Sequence, residues 1–68
     1  MIEHEDAAIL AYVAVELVTV GYPEFVGGST VVYKNVDGTY SVTDNGEEVD
    51  GLDKKNAIRV IVENLTHT

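Results

Sequence analysis

Cysteine is absent from the chain, and its absence excludes disulfides and thiolate metal sites. The loss matters because the chain has only 68 residues. A domain of that size buries only about 60% of its unfolded surface, so it is marginal without a disulfide, a metal or a partner subunit. Histidine is scarce as well, with only His4 and His67, one near each end. A partner subunit is the remaining source of added stability. Positive charge is the next shortage. Lys34, Lys54, Lys55 and Arg59 face twelve Asp and Glu, for a formal net charge of −8. That balance argues against direct binding of nucleic acid or of an anionic membrane, and favours a protein partner with a basic surface. Solubility alone would account for the same acidity. A membrane-spanning run is missing too. Residues 7–20 are the longest apolar stretch, but Glu16 and Thr19 interrupt it, and a span takes roughly 20 apolar residues. The opening Met-Ile-Glu-His-Glu-Asp lacks the basic start of a signal peptide. The expectation is a cytoplasmic protein, residing in the host cytoplasm if phage-encoded. Asn64-Leu65-Thr66 then matches a glycosylation sequon by chance.

What is present reads as a folded domain, since 46% of the residues are hydrophobic. A first helix is predicted from about residues 3–7 to Val20, with Glu3, Glu5 and Asp6 at its positive end and Gly21 and Pro23 as stop signals. The β-branched residues of 13–20 would suit a strand, but length and Ala7, Ala8, Ala11 and Ala14 favour helix. At 100° per residue, Ile9, Leu10, Val13, Leu17 and Val20 form a core-facing stripe. Ala7, Ala11, Ala14, Val15 and Val18 continue the apolar surface around the cylinder, leaving a narrow polar edge of Glu5, Tyr12, Glu16 and Thr19. Residues 22–29 read as a connection. Asp37-Gly38 and Asn45-Gly46 read as two-residue hairpin turns between three strands. Those turns pair Tyr33 with Val42 and Val42 with Val49. Val31, Tyr33, Tyr40, Val42 and Val49 then share one apolar face, opposite Thr30, Val32, Lys34, Ser41, Thr43, Glu48 and Asp50. A second helix is predicted from Lys54 to about Leu65, capped by Asp53, with Ile58, Ile61, Val62 and Leu65 as its buried stripe. Asn56, Arg59 and Glu63 face outward, Val60 lies outside the stripe, and Thr66, His67 and Thr68 form a frayed end. The fold class is α+β: a two-layer sandwich of helix, three-stranded antiparallel meander and helix, with both helices on one face of the sheet. Residues 1–68 form a single domain.

Chemistry finds little support in the sequence. Ser29 and Ser41 stand far along the chain from either histidine, so no nucleophile–base pair emerges and no catalytic residue is assigned. Gly27-Gly28-Ser29 lacks the lysine and the following helix of a phosphate loop. The acidic run 44–53 lacks the spacing of a calcium loop. His4 and His67 with Glu3 or Glu5 would make a zinc ligand set only if the chain ends met. No metal and no cofactor is expected, and the chain is not expected to be an enzyme.

Two functions lead, and a purely structural role as a component of a larger assembly stays open as a third. The first is a small protein-binding module, homodimeric through Ala7, Ala11, Ala14, Val15 and Val18. The second is a phage or mobile-element inhibitor of a nuclease, restriction or CRISPR system. In that reading Asp44, Glu47, Glu48, Asp50 and Asp53 imitate phosphates before a basic groove. Helix capping by Asp53 and protection of a sheet edge by Glu48 and Asp50 would explain part of the run without any partner.

Overall fold

The computed structural model describes residues 3–66. Its elements are α1 (His4–Thr19), β1 (Phe25–Gly27), β2 (Thr30–Lys34), β3 (Tyr40–Asp44), β4 (Glu47–Leu52) and α2 (Lys54–Thr66). The strands form one antiparallel meander in the order β1-β2-β3-β4. The two helices pack together and both touch the sheet. One core cluster joins Ala11, Ala14, Val15 and Val18 of α1 to Val32, Tyr40 and Val42 of the sheet and Ala57 and Ile61 of α2.

The sheet has four strands among the described residues, where the sequence suggested three. The added strand, β1, is only three residues long and ends on a glycine, too short to carry a visible alternation. Gly28-Ser29 is a two-residue turn, because Gly27 pairs with Thr30. Phe25 therefore stands opposite Val32 and packs against the core.

The register of β2 also differs from expectation. Val32 pairs with Val42 and Tyr33 with Ser41, one residue away from the expected Tyr33–Val42 pair. The cause is the loop. Asn35 N–H donates to the Thr39 carbonyl at 2.7 Å, and Gly38 N–H donates to the Asn35 carbonyl at 3.1 Å. The connection is thus three residues, Val36-Asp37-Gly38, with Gly38 at φ 92°. It is a type I turn followed by a left-handed glycine. A one-residue change in register inverts a strand, so Thr30 and Val32 are buried and Val31 and Tyr33 are only half-buried. At Asn45-Gly46 the two-residue turn holds, with φ of 50° and 86°, and so does the Val42–Val49 pair. Val49 stays 45% exposed all the same, because β4 is an edge strand at the rim of the core.

An extra residue in β4 corrects the strand's aim. Val42 pairs with Val49 but Tyr40 pairs with Leu52, so one β4 residue is unmatched between them. Gly51 sits there at φ 69°, a left-handed conformation that glycine adopts without a Cβ penalty. By simple alternation Leu52 would face away from Val49. The bulge returns it to the core side, where it packs against the cluster.

The faces of α1 are reversed. Ala7, Ala11, Ala14, Val15 and Val18 are the buried residues of this helix. The stripe of Ile9, Leu10, Val13 and Val20 points outward, and Ile9 and Val20 are 61% and 71% exposed. The reason is fit rather than bulk. α1 must meet both α2 and the sheet, and alanines let helix axes approach within about 8 Å. Ala57 of α2 lies equally buried in the same cluster. A Gly21 stop ends α1 as the sequence implies, with Tyr22 N–H donating to the Leu17 carbonyl at 3.1 Å. Asp53 caps α2, its carboxylate accepting the Asn56 N–H at 2.8 Å. Ile61 is fully buried, while Ile58, Val62, Leu65 and the off-stripe Val60 all pack partly against the core. Thr66 belongs to α2; His67 and Thr68, the remainder of the expected frayed end, lie outside the described residues, as do Met1 and Ile2.

Candidate functional site: the outer face of helix α1

Two surfaces compete for the role of binding site, and the structure treats them differently. The first is the outer face of α1. Ile9, Val13, Leu17 and Val20 recur at helical spacing, with Leu10 beside them and Tyr12 on the flank. Tyr22, just past the helix end, is 59% exposed and extends the patch. Asp6 precedes Ile9 and Leu10 by three and four residues, so the patch begins on an exposed carboxylate, with Glu3 and Glu5 exposed nearby. On one flank Glu16 pairs with Lys54 at the start of α2. The carboxylate beside it holds the Lys54 ammonium above its ordinary pKa.

The far end of the patch borders a cleft of about 390 Å³ lined by Val18, Thr19, Tyr22, Lys34, Asn35 and Val36, among others. Thr19 and Tyr40 hydroxyls meet at 2.7 Å, and Thr19 also donates to the Val15 carbonyl at 2.6 Å. Val36 at the hairpin tip is fully exposed. The cleft is wide open and holds neither histidine nor carboxylate among its lining residues.

The second surface is the acidic run. Its five carboxylates do not form one cluster. Asp44 is half-buried and accepts a hydrogen bond from Ser29 Oγ at 2.6 Å. Glu48 accepts the Tyr33 hydroxyl at 2.8 and 3.1 Å. Asp50 accepts the Ser41 hydroxyl at 2.6 Å, and Asn35 Nδ2 donates to Ser41 Oγ at 2.9 Å. Ser41, which the sequence places on the polar face opposite the core and hence in reach of solvent, is instead fully buried within this network. Asp53 is committed to its cap. Glu47 stands exposed at the turn. The Glu48 carboxylate raises the Tyr33 phenol above its ordinary pKa, since ionising that phenol would both break the bond and set two anions together. Four of the five carboxylates thus have a role inside the fold. A smaller groove of about 190 Å³ lies between Val42, Val49 and Val60, rimmed by Asp44 and Glu47.

The residues assigned from sequence to a dimer interface, Ala7, Ala11, Ala14, Val15 and Val18, cannot serve as one, because the chain buries all of them itself. The outer face is legible in the sequence as a stripe, but its bulk points it toward the core. The signal that could have settled the matter is the spacing of Ala7, Ala11, Ala14 and Val18. Steps of four, three and four residues are the seam of a close helix pair.

Among the described residues, no group of three or more His, Asp or Glu side chains gathers as a metal site. His4 is exposed at the start of α1, and its suggested partner His67 lies outside the described residues. No helix among the described residues is long and apolar enough to cross a membrane. No protein-family model, curated protein or solved structure matches this chain.

Proposed function

We propose that this chain is a non-catalytic protein-binding module whose contact surface is the outer face of α1. The observation that carries the reading is the exposure of Ile9, Leu10, Tyr12, Val13, Val20 and Tyr22 along one side of α1 and just past its end, interrupted by Glu16, on a molecule of 4374 Å² total surface. Single exposed apolar side chains are ordinary on a soluble protein; a connected row of large ones marks a contact surface. The aromatic pair at the rim strengthens this, because tyrosine offers a large rigid contact and a polar tip. The partner brings an apolar surface of its own, with positive charge where it meets Glu3, Glu5 and Asp6. The acidic run contributes less to the reading, since its hydrogen bonds to Ser29, Tyr33, Ser41 and the α2 backbone account for it without a partner.

Site-specific photo-cross-linking in the cell of origin tests the proposal. A photo-activatable residue at Val13 should trap a protein adduct, and the same residue at Val26, 57% exposed on the far side of the sheet, should not. A Val13 probe that traps no protein refutes the assignment.

A further inference from the structure

We infer that the Asn45-Gly46 turn is a site of self-modification. Asn45 loses its side-chain amide as ammonia, leaving aspartate or isoaspartate at position 45, and the isoaspartate form releases the edge strand β4.

The chemistry needs a free backbone nitrogen beside an accessible side-chain amide. The Gly46 nitrogen attacks Cγ of Asn45. A bond forms between that nitrogen and Cγ, the bond from Cγ to Nδ2 breaks, and Nδ2 leaves as ammonia with the proton that the Gly46 nitrogen gives up. Solvent water then opens the resulting cyclic imide. Attack at its side-chain carbonyl restores the ordinary backbone with an aspartate. Attack at its main-chain carbonyl leaves Gly46 joined to Cγ, which is isoaspartate. Water is the only co-reactant.

This turn meets the requirements. Asn45 and Gly46 are both exposed, at φ 50° and 86°. The Gly46 N–H donates to no backbone carbonyl among the described residues. Glycine has no Cβ to hinder attack by its own nitrogen. No heavy atom lies within 4 Å of where a Cβ would stand, so the tip has room to turn. The tip also joins an edge strand, where local opening costs little. The other three asparagines are held. Asn35 Nδ2 donates to Thr39 Oγ1 at 3.0 Å and to Ser41 Oγ at 2.9 Å, and the branched Val36 follows it. Asn56 and Asn64 lie in α2. There the helix ladder engages the nitrogen that would attack, as where Ala57 N–H donates to the Asp53 carbonyl at 2.8 Å.

The two products act differently on the sheet. Aspartate keeps the backbone and adds one carboxylate between Asp44 and Glu47. Isoaspartate routes the chain through Cβ, which lengthens by one atom a turn whose two residues set the Asp44–Glu47 pair. The pairs nearest the turn, Asp44–Glu47 and Thr43–Glu48, lose register first. No strand lies beyond β4 to hold it. The groove that Asn45 lines with Val42, Val49 and Val60 then opens.

Tandem mass spectrometry of the purified full chain, stored at mildly alkaline pH either folded or in urea, tests the site. Amide loss should appear at Asn45 at least about tenfold sooner than at Asn35, Asn56 or Asn64. Labelling by an isoaspartate-specific methyltransferase should rise with it. Earlier loss at any other asparagine overturns the assignment. So does an Asn45 that persists in the folded chain long after it is gone in urea, because the turn then shields the amide. Gly46→Ala, compared in urea so that folding of the variant does not enter, should slow the loss at least about tenfold. An unchanged rate means direct hydrolysis and overturns the ring route. The isoaspartate fraction, separated by chromatography, should show faster hydrogen exchange at the Val49 amide than the unmodified chain. Equal protection overturns the release of β4.

Discussion

Asp37 shows how much one side chain can decide. Its carboxylate accepts the Thr39 N–H at 3.0 Å and the Thr39 hydroxyl at 2.7 Å, which favours the three-residue loop over the two-residue turn. Those bonds hold the Asp37 carboxyl below its ordinary pKa. A depressed acid contributes stability that is in place above its unfolded pKa of about 3.9 and is lost as pH falls through the folded value. The difference in urea midpoint between the wild type and Asp37→Ala should therefore be largest near neutrality and narrow in acid. Tyr33 carries the opposite sign. Its raised pKa, set chiefly by the bond to Glu48, means a contribution present below about pH 10 and lost as pH rises through the folded value. Glu48→Gln should return the Tyr33 phenol toward its ordinary range, read by the ring resonances during an alkaline titration. These residues also show where the sequence was legible and where it was not. Asn45-Gly46 and Asp37-Gly38 look alike, and both are strong two-residue turn signals. Asn45 accepts the left-handed conformation such a turn needs, at φ 50°. Asp37 instead spends its carboxylate on Thr39, and only the hydrogen-bond geometry reveals which of the two outcomes a dipeptide has taken.

At the scale of the element, α1 is the informative case. Both of its apolar faces were legible, as were its stop at Gly21, the Asp53 cap of α2 and the order of helix, hairpins and helix. Which face turns inward was not. Hydrophobic bulk favours the Ile9–Val20 stripe, whereas closeness of approach favours the alanines, and a pattern of single residues cannot weigh one against the other. The observed orientation has a measurable signature. Ala14→Leu would add volume to a position with no exposed surface and should cost about 1–3 kcal/mol. Ile9→Ala, at the exposed stripe, should change the stability of the chain by less than about 0.5 kcal/mol. Chemical denaturation of the two variants at low concentration checks this, and the reversed order would restore the stripe to the core. β1 escaped notice for a different reason. Three residues ending on a glycine show no period, and only the Phe25–Val32 pairing makes them a strand.

The whole molecule carries a net charge of −8, so an acidic partner meets it against a general repulsion and a basic one is drawn to it. The Debye length falls from about 30 Å at 0.01 M to about 8 Å at physiological salt. Added salt should thus loosen the hold of a basic partner on Glu3, Glu5 and Asp6, a trend that the Val13 photo-adduct would show as a fall in yield in extract at the higher ionic strength; an unchanged yield would remove charge from the contact. The strand order has a further consequence, which concerns time. Each strand pairs with its neighbour in the chain through a connection of two or three residues, so the sheet can assemble from hairpins that each close in about 1–10 μs. Helix α1 stands apart from this sequence. It reaches its place by contacts with β1, with β2 and, most of all, with α2 at the other end of the chain, and the last of these require a much longer closure. It should therefore be the last element to settle and the first to leave. In native-state hydrogen exchange of the chain, α1 amides should open at lower free energy than those of β3, which is paired on both sides. The surface proposed to receive a partner would then lie on the element the fold itself holds least firmly, and association there would slow the molecule's most frequent route of opening.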